Sequence, residues 1–457
     1  MGDLPLFYDK FVLLISTGHE RSVKAKKNIA ALVLFKGISI IISFMLVPMT
    51  LQYLNPVQYG IWLTLSSVIA WFGFFDIGLG NGLRNKFVES IAKGNAKQAR
   101  MYVSTTYAIL SIVISAVFVM FLFVNPYLSW PVILNADVGL TVELRTLALI
   151  VFTFFCVKFV VGLLNILLLA DQKPASANLL EVLSNLLSLL LIYILVKKTS
   201  GSLIYLGMAL GISTTIIPLL ASFWYFRHKY RIFAPSLRYV KLTSARELMN
   251  IGLQFFVIQI VALIIFMTSN MVIAQLFGPR EVTSYNIAFK YFSVITIAFN
   301  IIITPFWSAY ADAYHRDDIT WIKDATKRLI FMWAISIFGA IGMVVVARQV
   351  YLHWVGPSIE ISLSLSVAMA LYVTISNWNN IYASFINGSG KIRLQLYSSI
   401  AVGIVNIPLS IVLAKYCGLG ITGVVFASCA CLIVSSFWAP LQYSKIVNKT
   451  ATGIWAK

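Results

Sequence analysis

Long apolar runs, each about as long as a lipid bilayer is thick, constrain the fold of this chain more than any other feature. A membrane-spanning helix needs roughly 20 apolar residues, and only helices or closed barrels satisfy every backbone hydrogen bond in lipid. Hydrophobic residues make up 60% of the chain and charged residues 11%, which excludes a soluble domain. We therefore predict an all-α polytopic membrane protein with twelve transmembrane helices. The twelve runs are 28–53, 57–76, 104–124, 146–169, 177–196, 202–226, 250–277, 285–310, 329–350, 361–386, 395–415 and 420–444.

The placement of basic residues predicts the orientation in the membrane. The chain has 35 Lys and Arg against 16 Asp and Glu, a net charge of +19, and most of these basic residues lie in one alternate set of loops. Cytoplasmic loops carry the excess of Lys and Arg in membrane proteins. Both termini are therefore predicted to be cytoplasmic, and the charge reflects topology rather than a nucleic-acid partner.

The most basic loop, RHKYRIFAPSLRYVKLTSARELMN, follows the sixth run and divides the chain into two halves. Weak internal similarity supports this division, because YLNPVQYGIW and LFGPREVTSYNIAF place Pro56 and Pro279 at matching positions. Each half has six predicted spans, an even number, so the chain returns to the same side of the membrane before the second half begins. The two halves are therefore a parallel repeat. We predict two six-helix lobes around a central cleft. The predicted segments are an interfacial or cytoplasmic N-terminus 1–27, lobes 28–226 and 250–446, a linker 227–249 and a tail 447–457.

Three lysines fall inside the apolar runs. A charged residue at a helix centre costs about 2.5 to 3.5 kcal/mol on insertion scales, so it normally faces protein or water. Lys158 lies near the middle of its run. It is expected either to line the cleft or to form a structural ion pair. Lys36 and Lys290 lie nearer the ends of their runs, where a snorkelling side chain is an equal alternative.

Acidic residues are scarce in the same runs. Asp76 and Glu181 are the clear carboxylates in or near the membrane, so the cleft is predicted to be cationic. Lysine and arginine form charge-assisted hydrogen bonds with phosphate oxygens, and such a cleft suits a diphosphate or an acidic sugar. Asp76 and Glu181 are the predicted positions for ion coupling or gating.

The NWNNIY cluster concentrates polar side chains within one and a half helical turns. We predict that Asn377, Trp378, Asn379 and Asn380 contact a glycan. Amides inside membrane helices also join one helix to another, and this alternative stays open. The four cysteines lack the spacing of a zinc site, so neither a metal nor a disulfide is predicted.

A glycine-rich segment, FFDIGLGNGLRNKF, is the most distinctive stretch of the chain. A dinucleotide-binding loop requires a preceding strand, and here an apolar helix precedes it, so nucleotide binding is excluded. The glycines are expected to turn the chain at the cytoplasmic interface, before a basic amphipathic helix. Helix starts attract phosphate, and Arg84 and Lys86 lie there. Attachment to anionic lipid is the alternative.

Together with LNPVQYGIWLTLSSVIAWF before it and KGNAKQAR after it, this segment resembles the polysaccharide-transport family of lipid-linked oligosaccharide flippases. These are O-antigen and capsule flippases of the multidrug/oligosaccharidyl-lipid/polysaccharide exporter superfamily. The resemblance is strongest over residues 50–100.

The resemblance implies a transporter, not an enzyme, in the bacterial inner membrane. It would move undecaprenyl-diphosphate-linked repeat units from the inner to the outer leaflet by alternating access. The resemblance implies cationic contacts to the diphosphate, which we assign to Lys36, Arg84, Lys158 and Lys290. No cofactor is expected beyond proton or sodium coupling, and the expected partners are membrane lipids, a glycan polymerase and a chain-length regulator.

Two other functions stay open. The first is a cation-coupled small-molecule exporter of related architecture, which the lysine and missing carboxylate of the first run disfavour. The second is a membrane-embedded glycan polymerase or transferase, which the short loops and scattered histidines disfavour.

Overall fold

The computed structural model describes residues 20–76, 78–171, 173–241, 243–245, 247–248 and 268–456. Every regular element in these ranges is a helix. The first half contains α1 (Glu20–Tyr53), α2 (Pro56–Ala70), α3 (Leu79–Ala92), α4 (Ala96–Val124), α5 (Trp130–Leu134), α6 (Thr141–Val161), α7 (Leu163–Ala170), α8 (Pro174–Lys198) and α9 (Leu203–Arg227). The second half contains α10 (268–277), α11 (Pro279–His315), α12 (Ile319–Val355), α13 (Leu363–Ser389), α14 (Arg393–Ile411) and α15 (Gly420–Val447).

Among the described residues, nine helical segments are long and apolar enough to cross a membrane. Each overlaps one of the predicted runs. The second run forms α2, which has 15 residues, followed by the 3-10 helix Trp71–Asp76, and is too short to count. The tenth run forms α13, whose polar residues lower its hydropathy, and most of run 250–277 lies outside the described residues. The multi-pass character is confirmed, and the number twelve stays a prediction.

The two prolines that the internal similarity aligns both begin a helix. Pro56 occupies the first turn of α2 and Pro279 the first turn of α11, where a missing N–H costs nothing because that donor has no helical partner. Asn55 caps α2: its side chain accepts from the Gln58 N–H at 2.8 Å, and the Gln58 side chain accepts from the Asn55 N–H at 3.3 Å. This reciprocal capping fixes where α2 starts.

The described residues divide into two compact units. The described residues of the first unit fall within Met1–Tyr53, Phe75–Leu128 and Arg145–Phe255. Within it, α1 packs on α8, α8 on α9, and α3 on both α4 and α7. Its core is built around Leu83, Phe87, Tyr102 and Leu164, all almost completely buried.

The second unit comprises Leu54–Phe74, Ser129–Leu144 and Phe256–Lys457. Within it, α13 packs on α11, α12 and α15, and α2 packs on α11. Buried aromatic residues, including Tyr310 and Phe385, form the centre of its core. Both units are discontinuous along the chain. The predicted lobes 28–226 and 250–446 are contiguous, and their boundaries stay a prediction.

Candidate functional site

A lysine and a glutamate from two packed membrane helices meet in the first unit. Lys36 lies on α1 and Glu181 on α8, and the Lys36 Nζ lies 3.4 Å from each carboxylate oxygen of Glu181. The two side chains are 35% and 46% exposed, respectively. Sequence reasoning assigned these two residues to separate roles, whereas the structure brings them into one ion pair.

Two further polar residues hold the carboxylate of Glu181 in place. The hydroxyl of Ser39, one turn beyond Lys36 on α1, donates to Glu181 Oε1 at 3.1 Å. The side-chain amide of Asn185, one turn beyond Glu181 on α8, donates to that hydroxyl at 2.9 Å. Ser39 is buried, so the carboxylate is anchored on its α1 side by a neutral donor as well as by a lysine.

Lys158 belongs to the same electrostatic neighbourhood. It is an exposed residue near the end of α6, and it interacts electrostatically with Glu181. We refer to Lys36, Ser39, Lys158, Glu181 and Asn185 as the lysine cluster. With two lysines and one carboxylate, the cluster carries a net positive charge, so it attracts anions and not cations.

The other residues predicted for the diphosphate lie on other helices. Lys290 is half-buried on α11, in the second unit. Arg84 is exposed on α3, and the ion pairs found among the described residues do not include it. The side chain of Asp76 lies outside the described residues. Of the four predicted cations, Lys36 pairs with Glu181, and Lys158 interacts electrostatically with the same carboxylate.

The glycine-rich segment turns where the sequence predicts. Gly78 precedes α3 with a left-handed φ of 74°, and the 3-10 helix Trp71–Asp76 stands before it instead of a strand. Gly82 has a different reason to be glycine, because a Cβ there would lie 2.2 Å from the carbonyl oxygen of Leu248. The motif thus packs α3 closely against the linker.

Ion pairs cover the exposed face of α3. Glu89 accepts from Lys93 at 2.6 Å and from Lys86 at 2.9 Å. These hydrogen bonds, that from Lys93 first, lower the pKa of the Glu89 carboxyl to about 2. The bond to Glu89 raises the pKa of Lys86. Lys86, one of the two basic residues predicted near the helix start, is therefore already paired within α3.

The NWNNIY cluster mostly joins helices. The Trp378 indole donates to Ser436 O at 3.4 Å. Asn379 donates to Leu432 O at 2.9 Å and accepts from the Ser436 hydroxyl at 2.9 Å. These contacts connect α13 to α15, as the open alternative describes.

The remaining two asparagines of this cluster form no such contacts within the described part of the chain. Asn377 is 0% exposed, and neither polar atom of its side chain has a hydrogen-bond partner in the described part of the chain. Asn380 is half-buried. Whether the cluster contacts a glycan stays a prediction.

Neutral side chains form a second polar network, in the second unit. The Asn270 amide donates to the Ser67 hydroxyl at 2.7 Å, and Asn286 donates to Asn270 Oδ1 at 2.8 Å. Nearby, the Thr283 hydroxyl donates to Pro56 O at 2.7 Å. We call Ser67, Asn270 and Asn286 the amide network. It ties α2 to α10 and α11.

Backbone contact accompanies the amide network. A Cβ at Gly60, in α2, would lie 1.7 Å from the carbonyl oxygen of Pro279. A glycine at this position lets the first turns of α2 and α11 approach each other directly. The amide of Gln275, on α10, also donates to the carbonyls of Val132 and Ile133 at 2.8 and 2.7 Å.

Sequence reasoning missed two things about the lysine cluster: the pairing of Lys36 with Glu181 and the part played by Ser39. A signal for the latter exists, because Ser39 is three residues after Lys36 and Asn185 is four after Glu181. Such spacings place both polar groups on the same face of each helix.

Comparisons with known proteins agree on a family and on a fold. A family model described as polysaccharide biosynthesis protein matches residues 25–310. A Yersinia pseudotuberculosis protein named for O-antigen export is 21% identical over 425 residues, covering 90% of this chain and 94% of the relative. A Salmonella typhimurium protein named as an O-antigen transporter is 21% identical, covering 87% of this chain and 91% of the relative.

Solved structures share the fold at low sequence identity. An inward-facing multidrug resistance MATE family transporter of the MOP superfamily superposes with a TM-score of 0.72 at 16% identity, covering 92% of this chain and 100% of that chain. An outward-facing MATE family transporter gives 0.65 at 17% identity, covering 97% and 99%. The helical fold of this chain is therefore that of the MATE transporters.

Proposed function

The chain belongs to the polysaccharide biosynthesis protein family, and on this premise we propose that it is a flippase for undecaprenyl-diphosphate-linked oligosaccharides such as O-antigen repeat units. It would carry them from the inner to the outer leaflet of the bacterial inner membrane, with both termini cytoplasmic. The names of the two relatives, for O-antigen export and transport, support this proposal and count against a polymerase or transferase.

The lysine cluster is the observation that carries the proposal. Lys36 pairs with Glu181, and Lys158 interacts electrostatically with the same carboxylate, so the positive charge of the cluster exceeds its negative charge. Charges inside apolar helices are costly, and those that occur usually mark a transport pathway. A diphosphate supplies several acceptor oxygens and at least two negative charges, so it can contact Lys36 and Lys158 together.

Alternating access explains how such a site would deliver its ligand. The diphosphate and glycan bind in a water-accessible cavity while the polyprenyl tail stays in lipid, and the site then opens to the other leaflet. The fold supports this mechanism, because relatives of the same fold adopt inward-facing and outward-facing conformations. An inside-negative potential favours outward movement of an anion by about 2.3 kcal/mol per charge per 100 mV.

Replacement of Lys158 tests the proposal. In a deletion strain that depends on the plasmid-borne gene for surface glycan, Lys158→Ala should lower glycan by at least about tenfold, because the loss of a charged partner costs roughly 2 kcal/mol or more. Lys158→Arg should restore part of the signal. The direct readout is flipping of undecaprenyl-diphosphate-linked oligosaccharide in proteoliposomes that contain the purified protein.

Lys198→Ala is the matched control, because Lys198 is an exposed lysine in the last turn of α8. It should leave glycan and flipping near the wild-type level. Protein abundance in the membrane is measured for every variant. Normal glycan and flipping in Lys158→Ala would remove Lys158 from the site. Drug hypersensitivity of the deletion strain with intact surface glycan would instead favour a small-molecule exporter.

A further inference from the structure

We propose that the linker docks on the anionic lipid headgroups of the cytoplasmic leaflet. The surface that docks consists of four exposed residues, Arg231, Ile232, Leu237 and Arg238, which we call the linker surface. It lies in the first unit. The inference goes beyond the proposed function, because it concerns how the protein meets the membrane and not which ligand the lysine cluster binds.

Aromatic side chains fix the linker to the helices of the first unit. Tyr230 is buried, and its hydroxyl donates to Asp171 Oδ2 at 2.7 Å. The ring of Phe233 packs edge-on against that of Phe87, with the ring centres 5.1 Å apart. These contacts fold the linker onto the helices and leave the linker surface on its outer side.

Backbone hydrogen bonds set the depth of the linker. The Ser236 N–H donates to Ser104 Oγ at 3.1 Å, and the Lys241 N–H donates to Thr105 Oγ1 at 3.0 Å. Ser104 and Thr105 lie on α4, at the start of the apolar run 104–124. The linker therefore lies level with the edge of the apolar layer of the membrane, and not in the cytoplasm beyond it.

The end of α9 marks the same edge. Its candidate span ends at Arg227, and Phe223 and Trp224 in the last turn are exposed, as is typical of aromatic residues at the membrane–water interface. The Arg227 guanidinium lies 4.2 Å from the centre of the Phe223 ring. The Lys229 Nζ lies 5.5 Å from the centre of the Trp224 ring. The first residues of the linker thus stay at the interface.

The chemistry of the linker surface fits a layer of anionic headgroups. Ile232 is 60% exposed and Leu237 88%, and each is next to an arginine in the sequence. No Asp or Glu occurs over residues 227–246. Apolar side chains that enter the acyl boundary beside basic ones are typical of interfacial binding, and an anionic leaflet attracts Lys and Arg. Because lipid surrounds the protein at this depth, the linker surface has its partner in the membrane itself.

Fluorescence quenching on the full-length protein in lipid nanodiscs tests the inference. Leu237→Cys is labelled with an NBD fluorophore in a Cys417→Ser background, because Cys417 is exposed and the other three cysteines are buried. One set of nanodiscs contains phosphatidylglycerol and phosphatidylcholine, and the other contains phosphatidylcholine alone. We expect doxyl-labelled lipid to quench the label in the anionic discs about twofold more than in the neutral discs. Iodide should quench it weakly in the anionic discs.

The arginines account for the difference between the two kinds of disc. Arg231→Gln combined with Arg238→Gln should lower doxyl quenching in the anionic discs to the level of the neutral discs. If the protein labelled at position 237 does not fold, as judged by its unfolding midpoint, Ile232→Cys replaces Leu237→Cys with the same expected results.

Lys97→Cys, labelled in the same way, is the matched control. Lys97 is exposed in the first turn of α4 and lies about 10 Å of helix before Ser104. A label there should be quenched by iodide and little by doxyl-labelled lipid, in both kinds of disc.

Equal iodide quenching at positions 237 and 97 overturns the inference, since the linker surface would then be in water. Equal doxyl quenching in the two kinds of disc also overturns it, because the surface would then not recognise anionic lipid. Protection from iodide that appears only after bacterial cytosol is added would assign the surface to a protein partner and contradict the inference. None of these outcomes bears on the lysine cluster.

Discussion

The lysine cluster and the amide network solve the problem of polar groups inside apolar helices in opposite ways. In the lysine cluster, Lys36 and Glu181 are charged, 35% and 46% exposed, and 3.4 Å apart. In the amide network, Ser67 and Asn270 are neutral, 6% and 7% exposed, and 2.7 Å apart. Short, buried, neutral bonds hold helices together, whereas long, accessible, charged ones exchange partners. The difference separates a part that stabilises the protein from the part that we propose as the ligand site.

The largest effect should come from the backbone contact beside the amide network. Gly60→Ala would place a Cβ 1.7 Å from Pro279 O, and overpacking against backbone costs about 3 kcal/mol or more. We expect a much lower unfolding temperature in a fluorescence-based melting assay.

Gly339→Ala is the control, because nothing lies within 4 Å of a Cβ at that helical position. It should stabilise slightly, by up to about 1 kcal/mol, through helix propensity. A Gly60→Ala protein as stable as the wild type would show that α2 and α11 do not approach as described.

The next effect concerns the hydrogen bonds of the amide network. Asn270→Ala removes the donor to Ser67 and the acceptor for Asn286, and should destabilise by about 1 to 2 kcal/mol. Undecaprenyl diphosphate binding should not change. If Asn270→Ala bound undecaprenyl diphosphate more weakly but unfolded at the wild-type temperature, the amide network would have a role in ligand binding and not in stability.

A smaller effect is expected for the ion pair itself. A double-mutant cycle of Lys36→Met and Glu181→Gln should give a coupling energy below about 1 kcal/mol, because both side chains are partly exposed. The coupling should shrink further at high salt. A coupling of several kcal/mol would identify a structural salt bridge, and Lys36 would then be too strongly held to bind a ligand.

The smallest effect is a pH dependence on α3. The pKa of Glu89 falls from 4.5 to about 2 on folding, so its stabilising contribution is present above about pH 4.5 and is lost as the pH falls toward 2. Hydrogen exchange of residues 79–92 should show this acid-induced loosening. In Glu89→Gln the change over this pH window should disappear; if it persists, another group causes it.

Length and composition predicted the membrane helices well, because a bilayer requires about 20 consecutive apolar residues for each span. This requirement can be checked within a single run of the sequence. The second run is less regular than the rule predicts, since the 3-10 helix Trp71–Asp76 follows the short α2. The positions of Pro56 and Pro279 were also predictable, because proline suits the first turn of a helix.

The pairing of Lys36 with Glu181 depends on how two helices pack, and the two residues lie 145 positions apart. Single-sequence patterns carry no information on such a contact. Gly60 and Gly82 show the same limit, because each is glycine on account of a distant carbonyl oxygen. Local spacing identified the polar residues, and tertiary packing decided which of them form a site.

The contact at Gly60 also restricts which residues related proteins can have at this position. A surface ion pair such as that of Lys86 with Glu89 can be reversed or moved to neighbouring positions by compensating substitutions. A side chain pressed against a main-chain carbonyl has no compensating change available, because no mutation removes a backbone atom. Position 60 should therefore stay glycine among related proteins, even where the residues of the proposed ligand site have changed.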